Sequence, residues 1–151
     1  MRLCEDSEMD LMQGLAGIIP DPNQLLEIVN LLKRKSYLKV ALILLSASPI
    51  VTNKIDADLE NVDETTDSWY HFTSDHINTI SHFWPIILDQ LELSLPTVLL
   101  MKLDRAVRRL LAWHIRVRRY HRSVRGRTAQ LNTMANRYGQ TARHMDNLVR
   151  T

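Results

Sequence analysis

The sequence predicts an all-α fold of five helices, and three observations lead to this prediction. Apolar residues recur at intervals of three and four along most of the chain, which is the spacing of amphipathic helices. Only 4 glycines and 5 prolines are present, fewer than the many tight turns of a β-sandwich or β-barrel need. The 151 residues, of which 45% are hydrophobic and 24% charged, suffice for one packed core without disulfides or metals.

The first two helices are predicted at residues 8–18 and 24–45. The turn at residues 20–23 separates them, because its two prolines cannot continue a helix. Asp21 or Asn23 can then cap the second helix.

Two charged segments are expected at the surface. Residues 33–35, Lys-Arg-Lys, form an exposed turn that interrupts the second helix. Residues 50–70 carry six acidic side chains and little apolar content, so they are expected to form a solvated loop, with at most a short helix.

The third and fourth helices are predicted at residues 74–93 and 96–125. Ser74 is a suitable N-cap for the third helix, and Pro85 inside it is expected to produce a kink. The connection at residues 94–97 is so short that the two helices must form an antiparallel hairpin.

The fourth helix carries two apolar stripes, and each repeats every seven residues. Two adjacent stripes indicate a helix that packs on two faces. The first comprises Leu100, Leu103, Val107, Leu110, His114, Val117 and His121, and the second comprises Leu99, Ala106, Trp113 and Tyr120. Gly126 is expected to end this helix, and a fifth helix is predicted at residues 128–149, with Gly139 in its middle.

Charge is divided unevenly along the chain. Residues 1–101 hold 6 basic and 15 acidic side chains, a net charge of −9, whereas residues 102–151 hold 13 basic and 2 acidic side chains, a net charge of +11. This asymmetry favours a polyanionic partner for the C-terminal part or pairing between opposite ends of two copies.

Nothing in the sequence indicates an enzyme, a cofactor or a small-molecule substrate. His71, His76 and His82 are spaced by five and six residues, whereas zinc ligands on a helix are spaced by four, so no metal site is expected. The single cysteine, Cys4, excludes an intrachain disulfide. No apolar run approaches the roughly 20 residues that cross a bilayer, and no signal-peptide core is present, so a soluble protein made in the cytosol is expected.

The basic stretch at residues 105–127 leaves three kinds of partner open. It could bind nucleic-acid phosphates, an anionic membrane surface or a groove of the calmodulin type. A membrane surface and a calmodulin-type groove would both have to bind the apolar stripes of this stretch, which packing of the hairpin already occupies.

Three segments resemble hepadnavirus core (capsid) proteins, in particular the avian members and the nackednaviruses of fish. Residues 103–115, LDRAVRRLLAWHI, resemble the central helix of that family. Ile19-Pro20-Asp21, with the leucine-rich helix after it, resembles the family's Leu-Pro-x-Asp turn. Gly126-Arg127-x-Ala129-x-Leu131 resembles the start of its fifth helix.

The resemblance implies a function and an architecture. The chain is expected to be a single capsid assembly domain, residues 1–151, whose hairpin pairs with a second copy into a dimeric four-helix bundle. Dimers then assemble into an icosahedral shell that packages viral RNA or DNA, in the virion and in the host cytoplasm or nucleus. The hairpin is shorter than in the mammalian proteins, and the family's hairpin cysteine, its proline-rich segment and its arginine-rich tail have no counterpart.

Three sets of residues are expected to carry these roles. The dimer interface is predicted at Ile80, Trp84, Ile87, Leu91, Leu100, Leu103, Val107, Leu110, His114 and Val117. Contacts between dimers are predicted at Leu131, Met134 and Tyr138. Nucleic-acid phosphates, or acidic partners such as Asp63 and Glu64, are predicted to contact Arg116, Arg118, Arg119, Arg122, Arg125 and Arg127.

Two alternatives to a capsid protein fit the same residues. One is a cellular helical subunit that binds nucleic acid within a larger assembly. The other is an adaptor that lies on a membrane surface through its basic helix.

Overall fold

A computed structural model describes residues 5–150, and the part of the chain it describes contains five α-helices and no strand. The all-helical class and the number of helices are therefore confirmed. The helices are α1 (Glu5–Ala16), α2 (Pro22–Lys33), α3 (Tyr37–Ala47), α4 (Ser74–Leu91) and α5 (Thr97–Arg150), with 3-10 turns at Leu59–Asn61 and Thr66–Trp69.

The described residues fall into two compact units. The first ends at Trp113 and contains α1 to α4 and the first part of α5, and the second begins at His114 and consists of the remainder of α5. Within the first unit, α2 packs against both α1 and α3, and α3 packs against α4.

The exposed turn expected at residues 33–35 is confirmed, and it divides the helix predicted at residues 24–45 into α2 and α3, because the chain turns sharply after α2. Asp21 caps α2 and accepts a hydrogen bond from the Asn23 N–H at 2.9 Å. At the other end Lys35 has a φ of 61°, and the N–H of Ser36 donates to the Leu31 carbonyl at 2.9 Å. This is a Schellman motif, which satisfies the last carbonyls of a helix and redirects the chain.

The acidic segment at residues 50–70 is not the solvated loop predicted for it. Its aspartates and Glu60 are exposed and Glu64 is half-buried, while Val51, Val62 and Trp69 are buried. Trp69 packs edge-on against Trp113 with ring centroids 5.6 Å apart, and its indole N–H donates to the Asp63 carbonyl at 2.9 Å. The segment therefore covers part of α5 within the first unit.

The hairpin of α4 and α5 is held by a polar contact between the helices. The indole N–H of Trp84 donates to Asp104 Oδ1 at 3.1 Å, and these residues lie ten positions on either side of Ser94 in the turn, which is the register of an antiparallel hairpin. The N-cap of α4 is Thr73, one residue before the predicted Ser74, and it forms a capping box with His76.

The predicted break at Gly126 is wrong, because α5 continues through Gly126 and Gly139 to Arg150. A glycine inside a helix costs only about 1 kcal/mol relative to alanine, which the flanking helix-forming residues offset. The hydroxyls of Thr128 and Thr133 donate to the carbonyls four residues earlier, at 2.9 and 3.0 Å. The Gly126-Arg127 pair is therefore not a helix start.

Candidate nucleic-acid interface

The six arginines predicted to bind nucleic acid lie together on the second unit, and all of them are exposed. With 3.6 residues per helical turn, Arg118, Arg122 and Arg125 lie within about 60° of one another, and Arg119 lies beside them. Arg116 and Arg127 lie on the other side of the helix. We call Arg118, Arg119, Arg122 and Arg125 the arginine face.

Two arginines of the first unit, Arg108 and Arg109, have partners of their own. Arg108 Nε lies 2.9 Å from Asp104 Oδ2. Arg109 lies over the Trp69 ring at 5.7 Å, and its Nη1 is 4.0 Å from Glu64 Oε2. Among the described residues, none of the six arginines at positions 116–127 forms an ion pair with a carboxylate. Their charges therefore face solvent uncompensated at short range.

The carboxylates suggested as acidic partners are engaged within the first unit. Glu64 Oε1 accepts a hydrogen bond from the Leu38 N–H at 3.0 Å, at the start of α3, and its other oxygen faces Arg109. Asp63 accepts from the hydroxyl and the N–H of Thr65, and these hydrogen bonds hold its pKa below the ordinary value, although slight burial opposes them. Both carboxylates therefore order the acidic segment.

Burial shifts the pKa of His114, which lies near the start of the second unit. It is partly buried, and its Nε2 has no hydrogen-bond partner among the described residues. Burial, and secondarily the positive charge of Arg118, lower the pKa of His114. The neutral imidazole is therefore the favoured form near neutral pH.

Most residues predicted at the dimer interface lie in the core of a single chain. The parts of the two apolar stripes that lie before His114 are buried within the first unit, so they need no second copy to cover them. Trp113 packs against Trp69 and Tyr70, while Lys102 lies over the Tyr37 ring of α3, so other segments of the same chain reach α5. Of the ten residues predicted at the dimer interface, His114 and Val117 are half-buried. The other eight are buried within the chain: Ile80, Trp84, Ile87, Leu91, Leu100, Leu103, Val107 and Leu110.

The three residues predicted to contact neighbouring dimers are exposed. Leu131, Met134 and Tyr138 expose 65%, 48% and 69% of their surface, respectively. Their role in contacts between copies stays a prediction, but their side chains are accessible.

The sequence prediction missed that the seven-residue repeat continues to the end of α5. Interpreting Gly126 as a break concealed this continuation. Beyond the predicted Leu103, Leu110 and Val117, the same spacing recurs at Val124, Leu131, Tyr138 and Met145. The spacing alone could have identified this longer repeat.

The histidines that cluster in the sequence do not converge in space. His76 Nδ1 accepts a hydrogen bond from the Thr73 N–H at 3.1 Å, and His71 stacks on Phe72. Within the described residues, no three histidine, cysteine or acidic side chains are close enough to share a metal ion. Among the described residues, no helix combines the length and the apolarity that crossing a membrane requires.

Comparison with known protein families, with curated proteins and with solved structures finds no match to this chain.

Proposed function

We propose that this chain is a capsid (core) protein that packages nucleic acid, with the arginines of α5 in contact with phosphates. The observation that carries the proposal is the arginine face, with Arg116 and Arg127 on the other side of the same helical segment. Six exposed arginines lie within twelve residues and have no acidic partner among the described residues. The resemblance of residues 103–115 to hepadnavirus core proteins supports the capsid role.

The charge density of this segment suits a nucleic acid. At 1.5 Å of rise per residue, the four arginines of the arginine face span about 10 Å along the helix axis, so neighbouring charges are about 3.5 Å apart. A nucleic-acid strand in a duplex carries one negative charge per about 3.4 Å of axis. The two densities are similar, and arginine also forms paired hydrogen bonds with phosphate oxygens.

Salt dependence tests the nucleic-acid contact directly. If all six arginines neutralise phosphates of single-stranded RNA, the logarithm of the binding constant falls with the logarithm of salt concentration with a slope of about −4. Replacing Arg118, Arg119 and Arg122 with glutamine should reduce the slope to about −2. Between 0.1 and 0.3 M salt the parent should lose about a hundredfold in affinity and the variant about tenfold.

A matched control separates this site from general charge. Replacing Arg34, Lys35 and Arg105 with glutamine removes the same charge from three exposed residues of the first unit. Fluorescence anisotropy with a labelled single-stranded RNA should give this control the parent's slope. Equal slopes for both triple variants would reject the arginine face as the phosphate site.

Assembly is the second part of the proposal. A shell needs contacts within dimers and between them. Most residues predicted at the dimer interface are buried within one chain. A dimer formed by the hairpin must therefore use other apolar side chains, which are exposed. Those exposed on the hairpin include Ile86, Val98 and Met101.

Electron microscopy and flotation distinguish the capsid proposal from its alternatives. Purified protein at rising concentration and salt should form closed shells, because salt screens repulsion between arginine-rich segments. Small oligomers that bind RNA would instead favour a helical subunit of a larger assembly. Flotation with anionic liposomes, at a salt concentration where RNA no longer binds, would favour the membrane adaptor.

A further inference from the structure

One side of α5 in the second unit carries a row of accessible apolar side chains, interrupted at two positions of the repeat by Arg127 and Thr141. The row follows the seven-residue repeat of a two-stranded coiled coil. Its first member is half-buried, and the others are exposed. We call this row the apolar seam, and it consists of Val117, Tyr120, Val124, Leu131, Met134, Tyr138, Met145 and Leu148.

The arginine face lies outside the apolar seam on the same helix. Successive residues are about 100° apart around the axis, so Arg118, Arg122 and Arg125 lie about 80–160° around the axis from Val117 and Val124. A partner helix can therefore cover the apolar seam while these arginines remain in solvent, free for phosphates.

We propose that the apolar seams of two copies pair as an antiparallel coiled coil. The position of Arg127 within the seam decides the orientation. A parallel pair would place Arg127 beside Arg127 of the partner subunit, so two like charges would be desolvated together. An antiparallel pair centred between residues 132 and 133 places Arg127 beside Tyr138 instead, where its guanidinium can stack on the ring.

The same antiparallel register matches most of the rest of the seam. It places Val117 opposite Leu148, and Tyr120 opposite Met145. Leu131 and Met134 meet at the centre. Each of these layers joins two apolar side chains, while Val124 falls opposite Thr141, so that this layer joins an apolar and a polar residue.

Charge distribution favours the same orientation. Six of the arginines of the second unit lie at residues 116–127, before its midpoint. A parallel pair would place these two +6 segments side by side, whereas an antiparallel pair places each beside the more weakly charged end of its partner. A second copy therefore fits the seam best when it runs in the opposite direction.

The area of the seam is sufficient for a specific contact. A buried side chain of this class removes roughly 60–120 Å² of apolar surface from water, so eight of them remove about 500–1,000 Å² per helix. Stable interfaces bury about 800 Å² per partner. Two copies therefore reach the size of a specific but separable contact, which suits units that assemble reversibly.

This inference rests on the proposed function, because it gives that assembly its contact between dimers, but its test uses protein without nucleic acid. Sedimentation of the full chain at about 0.5 M salt, where repulsion between arginines is screened, measures self-association. Leu131→Glu should weaken association at least tenfold. Asn136→Glu, which adds the same charge on the exposed opposite side, should change it less than threefold. Equal effects of the two variants would overturn the contact.

A charge reversal tests the orientation. In the antiparallel register, Tyr138→Glu places a carboxylate beside Arg127 of the partner subunit, so association should stay within threefold of the parent or strengthen. A parallel pair would place the two introduced carboxylates side by side, and a tenfold loss of association would reject the antiparallel register. Tyr138→Arg is the matched control, because it adds like charges in contact in either orientation and should weaken association about tenfold.

A distance measurement decides independently between the two orientations. A spin label at Ser123→Cys, in a Cys4→Ser background, should show an intermolecular distance of about 30 Å in the antiparallel pair. A parallel pair would bring the labels within about 20 Å of each other, since packed helices are about 8–10 Å apart. Short distances, or a chain that stays monomeric throughout, overturn the inference. RNA binding and shell formation are measured separately, so the proposed function can stand or fall without it.

Discussion

The backbone carbonyl of Ser94, in the turn between α4 and α5, lies very close to Gly14 of α1. A single methyl group added to Gly14 should therefore disturb the packing of α1 against this turn. A Cβ atom added to Gly14 would lie 2.2 Å from the Ser94 carbonyl oxygen and 3.3 Å from its carbonyl carbon. An ordinary contact begins at about 3.4 Å, so α1 and the turn must separate by about 1.2 Å. The neighbouring atoms are backbone, so no flexible side chain can yield to the methyl group.

The expected cost follows from what α1 buries. Leu11 and Leu15 lie on α1 and are almost fully buried. A gap of 0.5–1 Å forfeits a quarter to a half of a dispersion contact, and burying a leucine is worth about 1.5–3 kcal/mol. Two leucines then lose about 1–3 kcal/mol, while the helix propensity of alanine returns at most about 1 kcal/mol. Gly14→Ala should therefore destabilise the chain by about 1–2 kcal/mol.

Urea and thermal denaturation followed by circular dichroism measure this cost. For a chain of this length, the melting temperature should fall by about 3–6 °C. Gly17→Ala is the matched control, because an added Cβ there meets no atom within 4 Å. It should leave stability unchanged or raise it by a few tenths of a kcal/mol. A Gly14→Ala chain as stable as the parent would refute the close seating of α1 on the turn.

Three further predictions concern single residues. Lys35→Gly should stabilise the chain by up to about 1 kcal/mol in urea titrations, because glycine adopts the positive φ without steric cost, and an unchanged midpoint would contradict this. The lowered pKa of His114 means that the unfolded chain binds a proton more readily. Stability should therefore be complete above about pH 6.5 and fall as the pH drops below it, whereas His114→Gln should remove that part of the dependence. Asp104→Ala should cost about 1–3 kcal/mol, because it leaves the buried indole N–H of Trp84 without its acceptor, and Asp104→Asn, which keeps an acceptor oxygen, should cost less.

Local features of the chain were predictable because they depend on neighbouring residues alone. The helical class follows from the spacing of apolar residues, and the cap of α2 follows from Asp21 before Pro22. The turn between α4 and α5 follows from the short polar connection. The accessible arginines of the second unit follow from a run of charges that exceeds what acidic neighbours could neutralise.

Other boundaries could not be decided locally. Gly126 disfavours a helix by only about 1 kcal/mol, which is too little to end one by itself. The turn at residues 33–35 was expected, but whether it ends α2 depends on Lys35 adopting a left-handed conformation that glycine favours far more than lysine does. In both places a small difference in free energy decides whether the helix continues.

The sequence by itself determined which side chains share a face of each helix, because helical geometry is periodic and local. It therefore indicated the stripes of α5 and the arginines that lie among them. Only the tertiary structure decided what covers each face. Trp69, from a segment that is acidic and weakly apolar in sequence, packs against Trp113, and the stripe expected to meet a second copy is buried within one chain. The physical reason is that burial depends on every segment that reaches a surface, and contacts between residues far apart in the chain leave no periodic trace in the sequence.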